Sequence, residues 1–204
     1  MTPMEIRKIV SLARKNTRVP RGMVTTAGER DSLMIRLGLV VGCRISDLVA
    51  MKPKMFERVT VDDGSGVTDW KLTFEMKKAG RKLEMYVCND VLMDDLNKYI
   101  KKNGLGTHDL LFPLHMGGGD VQADISERRF YGIFKKLVEG IGSPDLAPHD
   151  MRRTMATVMY QKTRDIYAVS RRMGHAGIAQ TQHYLRLKDN DGLDLLVKVF
   201  SSIA

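Results

Sequence analysis

The chain has 204 residues, 43% of them hydrophobic, which suits one domain with a sizeable core and excludes a disordered chain. Its 33 Lys and Arg against 24 Asp and Glu leave a formal charge of +9 and point to a polyanionic partner, nucleic acid ahead of an acidic membrane surface. Two cysteines in apolar surroundings, Cys43 and Cys88, give neither a disulfide framework nor a metal knuckle, and no apolar run approaches the length of a membrane span.

The first segment, MTPMEIRKIVSLARK, has the spacing of an amphipathic helix and no signal-peptide core, so a soluble, intracellular protein is expected. Thr2 reads as its N-cap and Pro3 as its first-turn proline, with the helix over 4–15. NTRVPRGMVTTAGE is a polar connection, and RDSLMIRLGLVVGC predicts a buried helix. Ser46 is expected to cap a short helix, DLVAMK, that Pro53 stops. FERVTVDD, DWKLTFEM and RKLEMYVC alternate and have turn-like GSG and KKAG between them, so they predict three short antiparallel strands. VLMDDLNKYIKK is helical, LLFPLHMGGGDVQADIS reads as a loop, and ERRFYGIFKKLVEGIG is a basic amphipathic helix. From His149 the pattern is helical with short breaks and ends in the apolar GLDLLVKVFSSIA. The expected fold is mainly α with one small three-stranded antiparallel β-sheet.

Several chemistries find no support. The five histidines form no HExxH and have no cysteine pair beside them, so a metal site is not indicated. GLGTHD lacks the third glycine of a dinucleotide fingerprint, and GGGD does not lead into a phosphate-binding GK[ST] helix. No nucleophile elbow is present.

The residues 149–184 are different. His149 and Arg152 lie three apart and share one helical face, where a guanidinium fork and an imidazole can together hold a phosphate and move a proton. His175 follows Gly174 and lies nine residues before Tyr184. Arg44 sits between the buried helix and the capped one, and Lys78 in the hairpin turn. Singly each has an ordinary reading, as a solvated charge, a helix C-cap or a half-buried tyrosine.

Taken in order, these segments resemble the tyrosine recombinase (phage integrase, Xer-like) family. Arg44-Ile45-Ser46-Asp47-Leu48 is similar to its R-x-S-[DE]-L box, and His149-Asp150-Met151-Arg152-Arg153-Thr154 to its H-x-L-R-x-T box. Met173-Gly174-His175 is similar to its L-G-H box, which leads to Tyr184, and LLFP before the second box also looks like the family. Met151 and Met173 stand where leucine is usual, and methionine fills similar space. The resemblance covers the family's catalytic domain alone, as a single domain over 1–204. It implies that the N-terminal DNA-clamping domain is missing, either from an excised fragment or from a minimal recombinase.

The resemblance implies attack by Tyr184 on a DNA phosphodiester, giving a 3′-phosphotyrosyl link and a free 5′-hydroxyl. Arg44 and Arg152 would neutralise the non-bridging oxygens, His149 would assist proton transfer, and His175 would donate to a phosphate oxygen. Lys78 would protonate the leaving 5′-oxygen. It is preferred to Lys77 because Lys78-Ala79-Gly80-Arg81-Lys82 fits the family's K-x-G-x-[KR] turn. Asp47 would orient an active-site base. The implied partner is double-stranded DNA bound by a dimer to tetramer of this chain, with no membrane, no metal and no cofactor. The covalent link conserves the energy of the broken bond, in keeping with the lack of a phosphate-binding loop for ATP. Two other readings compete with a site-specific recombinase or integrase. One is a type IB-like topoisomerase, and the other is a non-catalytic DNA-binding relic.

Overall fold

The computed structural model describes residues 1–61, 66–77, 80–87, 89–116 and 122–185. The chain divides into two compact units, residues 1–155 and 156–204.

In the first unit, helix α1 (Pro3–Arg14) opens on a capping box in which Thr2 and Glu5 satisfy each other's backbone N–H groups. Helix α2 (Ala27–Val41) begins three residues before the expected start. The cause is a second capping box: Glu29 N–H donates to Thr26 Oγ1 at 3.1 Å, and Thr26 N–H donates to Glu29 Oε2 at 2.7 Å. α2 is buried on most of its surface and runs through the core, with Met34, Ile35, Leu37 and Val41 fully buried. It ends at Gly42, whose φ of 67° is the left-handed conformation that favours glycine.

Helix α3 (Ile45–Val49) is not capped by Ser46. The carbonyl of Arg44 accepts the N–H groups of Asp47 and Leu48 at 3.1 and 3.0 Å, so the helix starts earlier and Arg44 takes the N-cap position. Pro53 starts a single 3₁₀ turn (Pro53–Met55) that leads into the sheet. Strands β1 (Phe56–Thr60), β2 (Thr68–Met76) and β3 (Arg81–Tyr86) pair antiparallel in the order β1-β2-β3, with Phe56 opposite Leu72 and Leu72 opposite Met85. Leu72, Phe74 and Met76 alternate into the core, as the period of two requires.

Helix α4 (Asp90–Asn103) packs on α2 and β2 through Leu92, Met93, Leu96 and Tyr99. The segment read as a glycine loop contains a second, two-stranded sheet, β4 (Pro113–Met116) with β5 (Gln122–Asp124). Strands of four and three residues are too short to show alternation, and Pro113 at a strand's first position disguises it further. Its glycines, 117–119, lie outside the described residues. Buried Arg30 ties β4 to α2: it donates to Asp31 Oδ1 at 2.8 and 2.9 Å and to the carbonyls of Pro113 and Leu114 at 3.4 and 3.3 Å. Helix α5 (Glu127–Gly140), capped by Ser126, packs on α1 and α3 and buries Phe130, Phe134 and Val138. Helix α6 (His149–Thr163) runs across the division between the units.

In the second unit, α7 (Ile166–Met173) packs against α8 (Ile178–Leu185). Among the described residues, no helix is long and apolar enough to cross a membrane.

The tightest backbone approach joins α1 to α2. A Cβ on Gly28 would lie 2.5 Å from the Ala13 carbonyl oxygen and 2.7 Å from that of Asn16. Neither oxygen belongs to a side chain that can swing away. Gly28→Ala is expected to destabilise the first unit by about 1–3 kcal/mol, the cost of overpacking, seen as a lower urea midpoint at unchanged slope. An unchanged midpoint would show that the two helices can part.

Candidate active site

Five sequence-predicted residues fall in the first unit, four of them among the described residues. Arg152 is 5% exposed, on the inward face of α6 beside Met151, and its Nη1 donates to the carbonyl of Gly42 at 2.6 Å. That carbonyl belongs to the C-terminal end of α2, the negative end of its dipole, which favours a cation. The contact brings the box at 149–154 against the turn that presents Arg44. A Cβ on Gly42 would also meet the terminal methyl of Met155, which would have to move aside.

Arg44 is half-buried at the start of α3, with Nη1 3.8 Å from Sδ of Met76 at the end of β2. Asp47, one turn into α3, is 4% exposed, and its Oδ1 accepts the backbone N–H of Lys77 at 3.0 Å. The carboxylate therefore holds the backbone at the base of the β2–β3 turn. Lys78, predicted on that turn, lies outside the described residues. Asp47→Ala leaves the Lys77 N–H without this acceptor, at a cost of about 1–3 kcal/mol if the amide stays buried. The Lys77 amide is expected to exchange with solvent markedly faster in the variant, measured by NMR. Unchanged protection there would mean that Asp47 does not hold the turn.

His149 is exposed at the first position of α6. The ring of Tyr131, on α5, meets its imidazole edge-on at 6.4 Å between centroids. Partial burial, reinforced by the negative charge of Glu127, raises the Tyr131 phenol above its ordinary pKa.

The other two predicted residues, His175 and Tyr184, fall together in the second unit. α7 ends at Gly174 with φ 61°, and the N–H groups of Gly174 and His175 donate back to the carbonyls of Arg171 and Ser170, each at 3.0 Å. This left-handed cap turns the chain sharply and brings His175 to the start of the connection to α8. His175 Nδ1 lies 2.8 Å from Oγ1 of the fully buried Thr181. With the hydroxyl donating, Nε2 carries the ring's proton. The His175 ring also meets that of Tyr184 edge-on at 5.8 Å.

The sequence reading did not single out Thr181, Tyr131 or the Gly42 carbonyl. Thr181 lies three residues before Tyr184 and therefore on its side of α8, a spacing that becomes informative once the tyrosine is suspected. A backbone carbonyl has no sequence signal at all.

The chain belongs to the phage integrase family, whose profile matches residues 1–191. It is similar to the tyrosine recombinase XerH of Campylobacter jejuni, at 26% identity over 175 residues that make up 86% of this chain and 46% of that protein. A tyrosine recombinase of Pseudothermotoga lettingae is 27% identical over 201 residues, 98% of this chain and 60% of that one. The chain thus spans about half the length of the curated relatives it matches. Among solved structures, XerH bound to its difH substrate in a pre-cleavage complex superimposes with a TM-score of 0.70 at 16% identity, over 96% of this chain and 53% of that one. A lambda integrase dimer bound to a core site gives 0.59 at 18% identity, over 90% and 47%. These likenesses establish a mainly helical catalytic-domain fold with its three-stranded sheet.

Proposed function

We propose that this chain is the DNA-cleaving and rejoining part of a site-specific recombinase. The pairing of Tyr184 with His175 in a member of this family supports the reading most strongly, because it sets a candidate nucleophile beside a candidate phosphate ligand. A phenol ionises near pH 10 and a phosphodiester repels nucleophiles, so the attack needs help at both partners. Tyr184 Oη forms a bond to phosphorus as the bond to the 5′-oxygen breaks. The phenolic proton passes to His149, and Lys78 supplies a proton to the departing oxygen. Arg44, Arg152 and His175 stabilise charge on the non-bridging oxygens, as metal ions do elsewhere. Attack by a 5′-hydroxyl on the phosphotyrosyl link reverses the step without ATP. Asp47 acts at one remove, by holding the turn next to Lys78. XerH and lambda integrase were solved on DNA, the latter as a dimer and as a tetramer on a Holliday junction. By extension this chain acts on duplex DNA inside the cell as such an assembly.

Nicked suicide duplexes made from the DNA that flanks its gene test the reading. The expected product is a protein–DNA adduct that survives denaturation and maps to Tyr184. Duplex binding without any adduct would identify a binding relic. Relaxation of any supercoiled plasmid, with no recombinant product, would identify a topoisomerase.

A further inference from the structure

The first unit carries a cationic surface that the cleavage chemistry does not use. Two depressions, of about 610 and 170 Å³, lie between α1, the α1–α2 connection and the N-terminal half of α5. They share Asn16, Arg18, Asp31, Arg129 and Ile133, so they form one continuous trough. Arg21 lines one end, and Arg128 and Lys136 line the other. Among the described residues none of these five cations forms an ion pair, although seven ion pairs occur elsewhere among those residues. The carboxylate in the trough, Asp31, is 4% exposed and bonded to Arg30, so a single buried carboxylate faces five rim cations.

We propose that this trough carries the backbone phosphates of duplex DNA to one side of the cleaved bond, with Arg18, Arg21 and Arg129 as its principal contacts. The proposal rests on the recombinase reading. Three features choose nucleic acid as the occupant. Leu12, Ile133 and Leu137 give the floor apolar surface on which long cationic stems can lie, leaving the guanidinium forks at the rim for phosphate oxygens. The trough includes the start of α5, a 14-residue helix whose N-terminal end is itself electropositive. Finally, Arg128 lies one turn before Tyr131 on α5, and Tyr131 touches His149. The trough thereby begins one helical turn from a side chain that touches the residue assigned to proton transfer, which puts its arginines beside the reacting strand.

The experiment compares duplex binding by the chain with that of the triple variant Arg18→Gln/Arg21→Gln/Arg129→Gln. The probe is a fluorescent 30-base-pair duplex of the suicide-substrate sequence, titrated at several salt concentrations. Each phosphate contact contributes about 0.9 to the slope of log K against log salt. The triple variant should therefore lose a slope of roughly 2–3. The Lys triple variant at the same positions should restore most of the slope, which separates lost charge from lost structure. An unchanged slope in a Gln variant with native circular dichroism overturns the proposal. Tight binding of a poly-glutamate peptide, abolished by the Gln variant while the DNA slope is unchanged, also overturns it and makes the trough a docking site for an acidic protein. If the recombinase reading fails instead, the unmodified chain forms no adduct, whatever the slopes show.

Discussion

Replacing Tyr184 with Phe is expected to remove covalent attachment to DNA altogether while leaving duplex affinity nearly unchanged. The substitution deletes one oxygen and keeps the ring, so the edge-on packing against His175 at 5.8 Å survives and α8 has no reason to shift. No neighbouring side chain can replace the lost nucleophile in the same position, because covalent catalysis depends on one oriented oxygen. A denaturing gel after incubation with the nicked duplex should show an adduct for the unmodified chain and a loss of more than about a thousandfold for the variant. Undiminished adduct would remove Tyr184 from the mechanism. A parallel loss of duplex binding would show that the hydroxyl holds the second unit together and has no chemical role.

Arg152→Ala should be the next most damaging change, for two separable reasons. The first is catalytic: loss of one preorganised donor to a developing oxyanion costs about 3–4 kcal/mol, or roughly 10²–10³ in rate. The second is structural: Nη1 is bonded to the Gly42 carbonyl at 2.6 Å, and a buried carbonyl left without its donor costs about 1–3 kcal/mol of stability. Arg44→Ala should lower the rate by a similar factor with a smaller loss of stability, since Arg44 is half-buried and its described contact is the weak acceptor sulfur of Met76. Arg152→Lys should recover folding better than rate, because an ammonium keeps the charge and loses the planar fork. Single-turnover cleavage and urea melts on the three variants check both parts. Cleavage by Arg152→Ala within a few-fold of the unmodified chain would make the residue a structural clamp.

Much of the fold was legible because its signals are local. The alternation of Leu72, Phe74 and Met76 gave a strand, and the Thr2–Pro3 start gave a helix. Where the reading slipped, the deciding interaction was a backbone one or the element was short. Ser46 looks like a cap, yet the Arg44 carbonyl had already started the helix. The Thr26–Glu29 capping box lies in a polar run, where its residues look like part of the preceding connection. The β4–β5 pair is short, and no periodicity announces it. For the candidate site, the sequence supplied residue types in a familiar order and nothing about what holds them. Those partners, the Gly42 carbonyl, the Lys77 amide and the Thr181 hydroxyl, lie up to 110 residues away along the chain.

Two of those holding contacts reach main-chain atoms, and this bears on how such a protein can change over time. A carbonyl or an amide is present whatever side chain the residue bears. Position 77 can therefore drift through almost any amino acid except proline, which has no N–H, and still be gripped by Asp47. Position 42 carries the opposite constraint: its carbonyl is what Arg152 needs, but its left-handed backbone and the adjacent Met155 strongly favour glycine. A lineage can thus rewrite the surface around these residues to suit a new DNA site while the internal struts stay in register. The freedom to diverge is greatest where the strut ends on an amide and smallest where it ends on the glycine.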